Sequence, residues 1–405
     1  MKGLQFYIIS QYFLPDINGD VIRLLNSIKA LKRLGVNLTI ITAFPHYPSG
    51  LIPPKYHGKL FVKETWNDIK IIRTFILPLP HKGFINRLLL YLSFTFSSTI
   101  AILLERNVDI IWAFSQKFFS YITGLASKLL HRSKVIVDIT DIWPEAIVNT
   151  GYIKDCSFLF RLIKLFMCLL LKLADAITTL TEAMKNMLSS WGINQNKIFL
   201  VPNVIRLKSE STMNNKSQPV KKENFVVMYS GNLGSNYDFK TLLLAASKLR
   251  HYSDVDFVIR GEGEMEEYIS KFIKINKLNN VKLDRKLLSE RELVNYLKKA
   301  DVFILPMKKC PYPDASFPIK FLDYFSLGKP IVCCAEGFLA KLIDKYKIGI
   351  VVPPEDPDKL INAILALKKD CNLTKRMAKN VKDVVRHFSP ETLEKAFQEV
   401  LSVML

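Results

Sequence analysis

Apolar residues along this chain fall into two alternating rhythms. Short runs dense in β-branched and aromatic residues recur as QFYIIS, VNLTIITA, IKIIRTFI, VDIIWAF, KVIVDIT, AITTL and KIFLVPN, and each reads as a strand. Most are separated by segments whose apolar residues repeat every three or four positions. VIRLLNSIKALKRLG is the first of these, and it stops at Gly35. Strand, polar turn, helix and second strand open a doubly wound parallel sheet, because a crossover helix is the short route between parallel neighbours.

The polar segment from Arg206 to Asn224 has almost no large apolar side chains and reads as a linker. After it the alternation restarts with FVVMYSGNLG, DVDFVIRGEGE, NVKLD, DVFILPM, PIVCCA and GIVVPPEDP, with helical segments between. The pattern predicts an α/β protein of two Rossmann-like domains facing a central cleft, residues 1–205 and 206–389. Pro390 predicts a sharp change of direction before a last helix over 390–405, expected to pack back on the first domain.

Composition narrows the partners. With 405 residues, 49% of them hydrophobic, the chain has material for two cores. A formal charge of +20 predicts anionic partners, and it is spread over both halves rather than gathered in a tail. The sequence has no zinc-finger spacing, RNP-like aromatic motif or basic helical arm, so nucleic acid is not expected. Six cysteines without a CxxC pair predict a reduced, cytoplasmic setting and no metal site. MKGLQFYIIS lacks the features of a secretory signal.

Two segments bear on membranes. Leu88 to Leu104 is uncharged but slightly short for a span and contains Ser and Thr, which predicts a buried helix. Phe158 to Ile177 sets Arg161, Lys164 and Lys172 among large apolar residues. It reads equally as an interfacial helix or as a core-facing helix with snorkelling lysines.

In open parallel sheets ligands bind beyond the carboxyl ends of the strands. The loops to inspect are therefore DINGD with Gly19, ITDIWPE with Thr140, Asp141 and Glu145, GNLGSN with Asn232 and Gly234, and RGEGE with Gly261 and Gly263. FPIKFLDYFSLGKPIVCCAEG adds Lys320 and Asp323, one helical turn apart in an apolar run and expected to point together at the cleft. A lysine at the start of a helix opposes the helix dipole unless an anion is bound, whereas a surface ion pair would be worth only tenths of a kcal/mol.

SFPIKFLDYFSLGKPIV, the following AEG and GIGIVVPPEDPDKL resemble the C-terminal signature of the family 4 retaining glycosyltransferases of the GT-B fold. FLPDINGD, TAFPHYPSG, DITDIWPEAIVNTG and SGNLGSNYDFKTLLLAA resemble the subgroup that builds colanic acid, O-antigen and other cell-surface polysaccharides. The resemblance implies a nucleotide-diphosphate sugar as co-substrate, no further cofactor, no metal, and a lipid-linked or growing glycan as acceptor. The basic, apolar Phe158 to Ile177 segment and the charge of +20 add the expectation of a peripheral place on the inner face of the cytoplasmic membrane, at an anionic surface.

By the same resemblance, Lys320 contacts the diphosphate and Asp323 the ribose, while Gly337 and Phe338 offer backbone N–H groups. Lys320 and Asp141 are the catalytic candidates. Gly19, Asn232, Gly234, Gly261 and Gly263 join the donor site, and His46, Tyr47, Thr140 and Glu145 the acceptor side. His46 taken alone reads more readily as a structural residue than as a ligand contact. Departures from the family pattern stand at Ala315, where a glutamate is usual, at Asn232, at Thr140 and at Asn18-Gly19. A nucleotide-sugar epimerase of the same fold and a noncatalytic sugar-nucleotide-binding or membrane-docking subunit are the rival readings.

Overall fold

The computed structural model describes residues 4–81, 83–114, 119–205, 224–286 and 288–405. The expected linker from Arg206 lies, up to residue 223, outside the described residues.

The strands form two sheets. The first holds β1 (Gln5–Ile9), β2 (Asn37–Ala43), β3 (Phe61–Trp66), β4 (Ile69–Thr74), β5 (Ile110–Ala113), β6 (Lys134–Ile139), β7 (Ala176–Thr179) and β8 (Ile198–Leu200), in the order β3-β4-β2-β1-β5-β6-β7-β8. Every pairing in it is parallel except the edge hairpin β3-β4. The second holds β9 (Phe225–Ser230), β10 (Val255–Arg260), β11 (Val281–Asp284), β12 (Val302–Pro306), β13 (Ile331–Cys334) and β14 (Gly349–Val352). Its order, β11-β10-β9-β12-β13-β14, is that of a complete Rossmann sheet, all parallel.

Helices cover both faces. In the first domain they are α1 (Gly19–Arg33), α2 (Phe84–Leu103), α3 (Phe119–His131), α4 (Glu145–Asn149), α5 (Phe158–Leu173) and α6 (Glu182–Ser190). In the second they are α7 (Phe239–Lys248), α8 (Glu266–Ile275), α9 (Glu290–Leu297), α10 (Lys320–Ser326), α11 (Gly337–Tyr346), α12 (Pro357–Lys369) and α13 (Cys371–Val385). The final helix, α14 (Pro390–Met404), starts on a Ser389 cap and crosses back. Its Leu393, Phe397 and Leu401 share a core with Phe6, Leu24 and Trp112 of the first domain.

A buried network ties the first domain together beneath the cleft. Arg23 of α1 donates to both carboxylate oxygens of Asp138 on β6, at 2.8 and 3.1 Å, and to Asn203 at 3.1 Å. Thr178 completes the Asp138 shell at 2.6 Å. A pair this buried holds only because its remaining lone pairs and N–H groups are satisfied.

The uncharged run at Leu88–Leu104 forms most of α2. Leu90, Phe94 and Ile102 are in the core, while Ile85, Leu89, Leu92 and Phe96 lie exposed along the opposite face. Ile85–Leu103 is long and apolar enough to cross a membrane by length and composition, yet one of its faces is bound into the domain. α5 is split likewise. Phe160, Met167, Leu170 and Leu171 are buried, whereas Phe158, Leu162, Leu165, Leu169 and Leu173 are exposed.

Candidate active site

The two domains meet directly at the carboxyl ends of their sheets. Asp141, just past β6, forms an antiparallel bridge with Ser316, and the Ile142 N–H donates to the Ala315 carbonyl at 2.8 Å. Asn149 exchanges hydrogen bonds with the Tyr312 backbone, 2.6 Å to its carbonyl and 3.2 Å from its N–H. Ala315, the position where the family pattern has a glutamate, is thus fully buried and used as a backbone clasp.

Beside this clasp lies a cavity of about 490 Å³, within the size range of small-molecule sites. Asp141 and Trp143 face it from the first domain, Asn232, Gly234 and Glu264 from the second. The cavity therefore unites three residues expected from sequence, Asp141, Asn232 and Gly234. Two cations line it that the sequence did not single out, Arg87 near the start of α2 and Lys308 after β12. Burial pushes the Glu264 carboxyl up, but hydrogen bonding by Ser235 and the charges of Arg87 and Lys308 outweigh it and hold the group below its ordinary range.

Lys320 departs from expectation. It is buried, and its ammonium does not pair with Asp323 but donates to the Tyr229 hydroxyl and, at 3.3 Å, to the Asn232 carbonyl. The rings of Tyr229 and Tyr237 stand 4.3 and 3.7 Å from it. It therefore sits under the Gly231–Asn232 turn, where a Cβ on Gly231 would come within 2.8 Å of the lysine Cε. Burial pushes its pKa well down, opposed in part by the Asp323 carboxylate. Half-buried Asp323 does not line the cavity.

The glycines of the donor loops serve each other first. Gly261 has φ +139°, and a Cβ there would fall on the Gly231 carbonyl oxygen. Gly263 meets the Leu233 carbonyl in the same way, so these two glycines are required by loop-on-loop packing rather than by open space for a ligand. Gly337 and Phe338 are also engaged: the Phe338 N–H donates to Asp314 at 2.5 Å, and a Cβ on Gly337 would collide with that carboxylate. The loop's first anion is thus a protein side chain. The helix after GNLGSN starts only at Phe239, with Asp238 capping it by accepting from the Thr241 N–H at 3.1 Å.

Two of the four acceptor-side candidates, His46 and Glu145, lie in the core. His46 is buried against Tyr12, its Nδ1 2.8 Å from the Phe44 carbonyl, and burial pushes its imidazole down toward the neutral form. The Asp16 carboxylate accepts from the backbone N–H groups of His46 and Tyr47 at 3.0 and 3.1 Å, so this pair shapes a loop. Glu145 is buried and turned to Lys164 of α5 at 2.9 Å, away from the cavity. Thr140 and Tyr47 are not among the residues that line it. Gly19 heads α1 against Ile319, where a Cβ would stand 3.5 Å from the Ile319 methyl.

Two family models cover nearly all of the chain. Residues 17–209 match that of Glycosyltransferase Family 4 and residues 211–384 that of Glycosyl transferases group 1.

The chain belongs to the family 4 glycosyltransferases.

Its relatives and neighbours agree with that placement. It is 24% identical to the Escherichia coli (strain K12) glycosyl transferase WcaI, named for colanic acid biosynthesis, over 88% of this chain and 92% of that protein. The glycosyltransferase TuaH of Bacillus subtilis (strain 168), named for teichuronic acid biosynthesis, is 26% identical, and there the match spans about half of each chain, 51% and 52%. Sucrose-phosphate synthase of Thermosynechococcus elongatus superposes with a TM-score of 0.74 at 15% identity, covering 98% of both chains. Anabaena HepE, solved with UDP-glucose, superposes with a TM-score of 0.69 at 14% identity over 98% of this chain and 99% of its own. This family 4 glycosyltransferase therefore has the GT-B fold, with a cleft between its two sheets.

Proposed function

We propose that this glycosyltransferase moves a sugar from a nucleotide-diphosphate sugar to a hydroxyl of a membrane-held or growing cell-surface glycan. Transfer proceeds without a metal and with retention at the anomeric carbon. Lys320 carries the reading. Among the described residues the Lys320 Nζ, buried between two tyrosine rings, is hydrogen-bonded to a hydroxyl and a carbonyl and touches no carboxylate, and the Asp323 charge offsets only part of its burial. Such a cation is costly to bury alone, and the ring faces offset only part of that cost. A diphosphate on the Gly231–Asn232 turn supplies the missing charge. Lys320 then acts from beneath, fixing the turn through Asn232 and stabilising negative charge as it develops on the departing nucleotide.

Asp141, on the opposite wall beside the domain clasp, faces the space in which donor and acceptor meet and orients the acceptor hydroxyl. WcaI and TuaH support a polysaccharide context, and the UDP-glucose complex of HepE supports a nucleotide sugar as donor. The exposed apolar stripes of α2 and α5 support peripheral attachment to the inner face of the cytoplasmic membrane.

Purified protein incubated with radiolabelled nucleotide sugars and a membrane extract tests the reading. Label passing into the lipid or polysaccharide fraction, unaffected by a chelator and with the donor's anomeric configuration, is the expected result. An epimerised nucleotide sugar, or retention of the nucleotide sugar without turnover, overturns it.

A further inference from the structure

The cavity lining is mixed in chemistry. Its polar members include Asp141, Asn232 and Glu264, and its apolar members include Leu88 and Tyr91 of α2 and Leu159 and Ile163 of α5. These are the helices that carry the exposed stripes, and they alternate between the two duties along their length. α2 turns Leu88 and Tyr91 inward but Leu89 and Leu92 outward, and α5 turns Ile163 inward but Leu162 and Leu165 outward. Leu159 serves both, lining the cavity while remaining 45% exposed. The cavity is thus lined by two helices that also carry exposed apolar stripes, and the cations Arg161 and Lys172 of α5 are exposed as well.

Arg87 also lines the cavity, next in sequence to Leu88. Its Nε is buried without a hydrogen-bond partner among the described residues, which leaves donor capacity on the guanidinium. Its charge and that of Lys308 converge on Glu264 from opposite domains, which leaves one carboxylate between two cations. An anion is the partner this corner lacks. A water-soluble sugar acceptor would account for neither the unpaired Nε nor the apolar residues that α2 and α5 add to the lining.

We propose that the cavity is an amphiphile site for the acceptor: its aliphatic chain lies between α2 and α5, reached from the bilayer side, and its phosphate is held by Arg87. This rests on the reading of a membrane-held acceptor and adds to it a tail channel and a headgroup residue. Arg87 is thereby a binding residue that separates phosphate-bearing lipids from neutral ones.

Binding measured without donor tests this independently of transfer. The probes are farnesyl phosphate, farnesol and inorganic phosphate, with quenching of fluorescence from Trp143, which lines the cavity, and calorimetry as readouts. Farnesyl phosphate is expected to bind about tenfold or more tightly than farnesol, the scale of one charge-assisted hydrogen bond, and inorganic phosphate far more weakly than either. Arg87→Gln should bring farnesyl phosphate down to the level of farnesol, and Leu159→Glu should weaken both prenyl probes while leaving the melting temperature near that of the parent protein. Equal binding of farnesyl phosphate and farnesol, or a preference that survives Arg87→Gln, overturns the headgroup assignment. Inorganic phosphate competing as well as farnesyl phosphate overturns the tail channel. Active transfer alongside either failure leaves the glycosyltransferase reading intact and removes only this site.

Discussion

The Lys320 ammonium stands 3.7 Å from the centre of the Tyr237 ring, on a helix that follows the fourth strand of the second sheet, and takes its hydrogen bonds beneath a turn that follows the first. One side chain thereby locks two post-strand loops together. If the diphosphate lies on that turn, Lys320→Ala should lower turnover by about a hundredfold, the scale of losing one preorganised charge in a transition state. Asp323→Ala should act mainly through donor KM, since ribose contacts change little during the reaction. Steady-state kinetics of both variants checks this, and near-normal turnover in Lys320→Ala removes the lysine from the chemistry.

The same burial makes a pH prediction. Lys320 has a folded-state pKa well below its ordinary 10.5, so folding favours the neutral amine. Its stabilising contribution is fully present above pH 10.5 and is lost as the pH falls through the folded-state value. Melting temperatures of the parent protein minus those of Lys320→Met should therefore rise with pH across that window. A bound diphosphate favours the ammonium, so donor binding should take up a proton and weaken as pH rises. Calorimetry in buffers of different ionisation enthalpy measures the uptake, and its absence in the parent protein contradicts the assignment.

Gly261 and Gly19 should behave oppositely. Gly261→Ala puts a Cβ onto the Gly231 carbonyl at φ +139°, and should cost about 1–3 kcal/mol of stability along with activity. Gly19→Ala meets only ordinary contact with Ile319 and should melt normally, while Gly19→Val crowds the α1–α10 junction and should impair transfer more than stability. Chemical denaturation beside transfer assays separates them. A Gly19→Val variant that loses stability and activity in parallel is a turn defect.

Membrane attachment should be electrostatic and apolar together. The protein should co-sediment with vesicles containing anionic lipid and release substantially at 1 M salt, where the Debye length is about 3 Å. Leu165→Glu, on the exposed stripe of α5, should weaken co-sedimentation without changing the melting temperature. Release by detergent alone would instead indicate insertion of α2.

The sequence by itself determined the two alternating α/β units, their parallel sheets and the loops in which the site lies. Strand and helix periodicity are local, and ligands gather at the carboxyl ends of such strands. The motif around Lys320 was also legible, because its charges interrupt an apolar run. Tertiary structure decided what those residues face. Lys320 and Asp323 share a helix turn, but the tyrosines that draw the lysine inward come from residues 229 and 237, and no local pattern links them to residue 320. His46 and Glu145 are acceptor-side candidates by their place after strands, yet long-range packing against Tyr12 and Lys164 takes them out of the cavity lining. Arg87 gave no signal at the edge of an apolar helix; it acquires a role only because the second domain closes over it with Glu264 and Lys308.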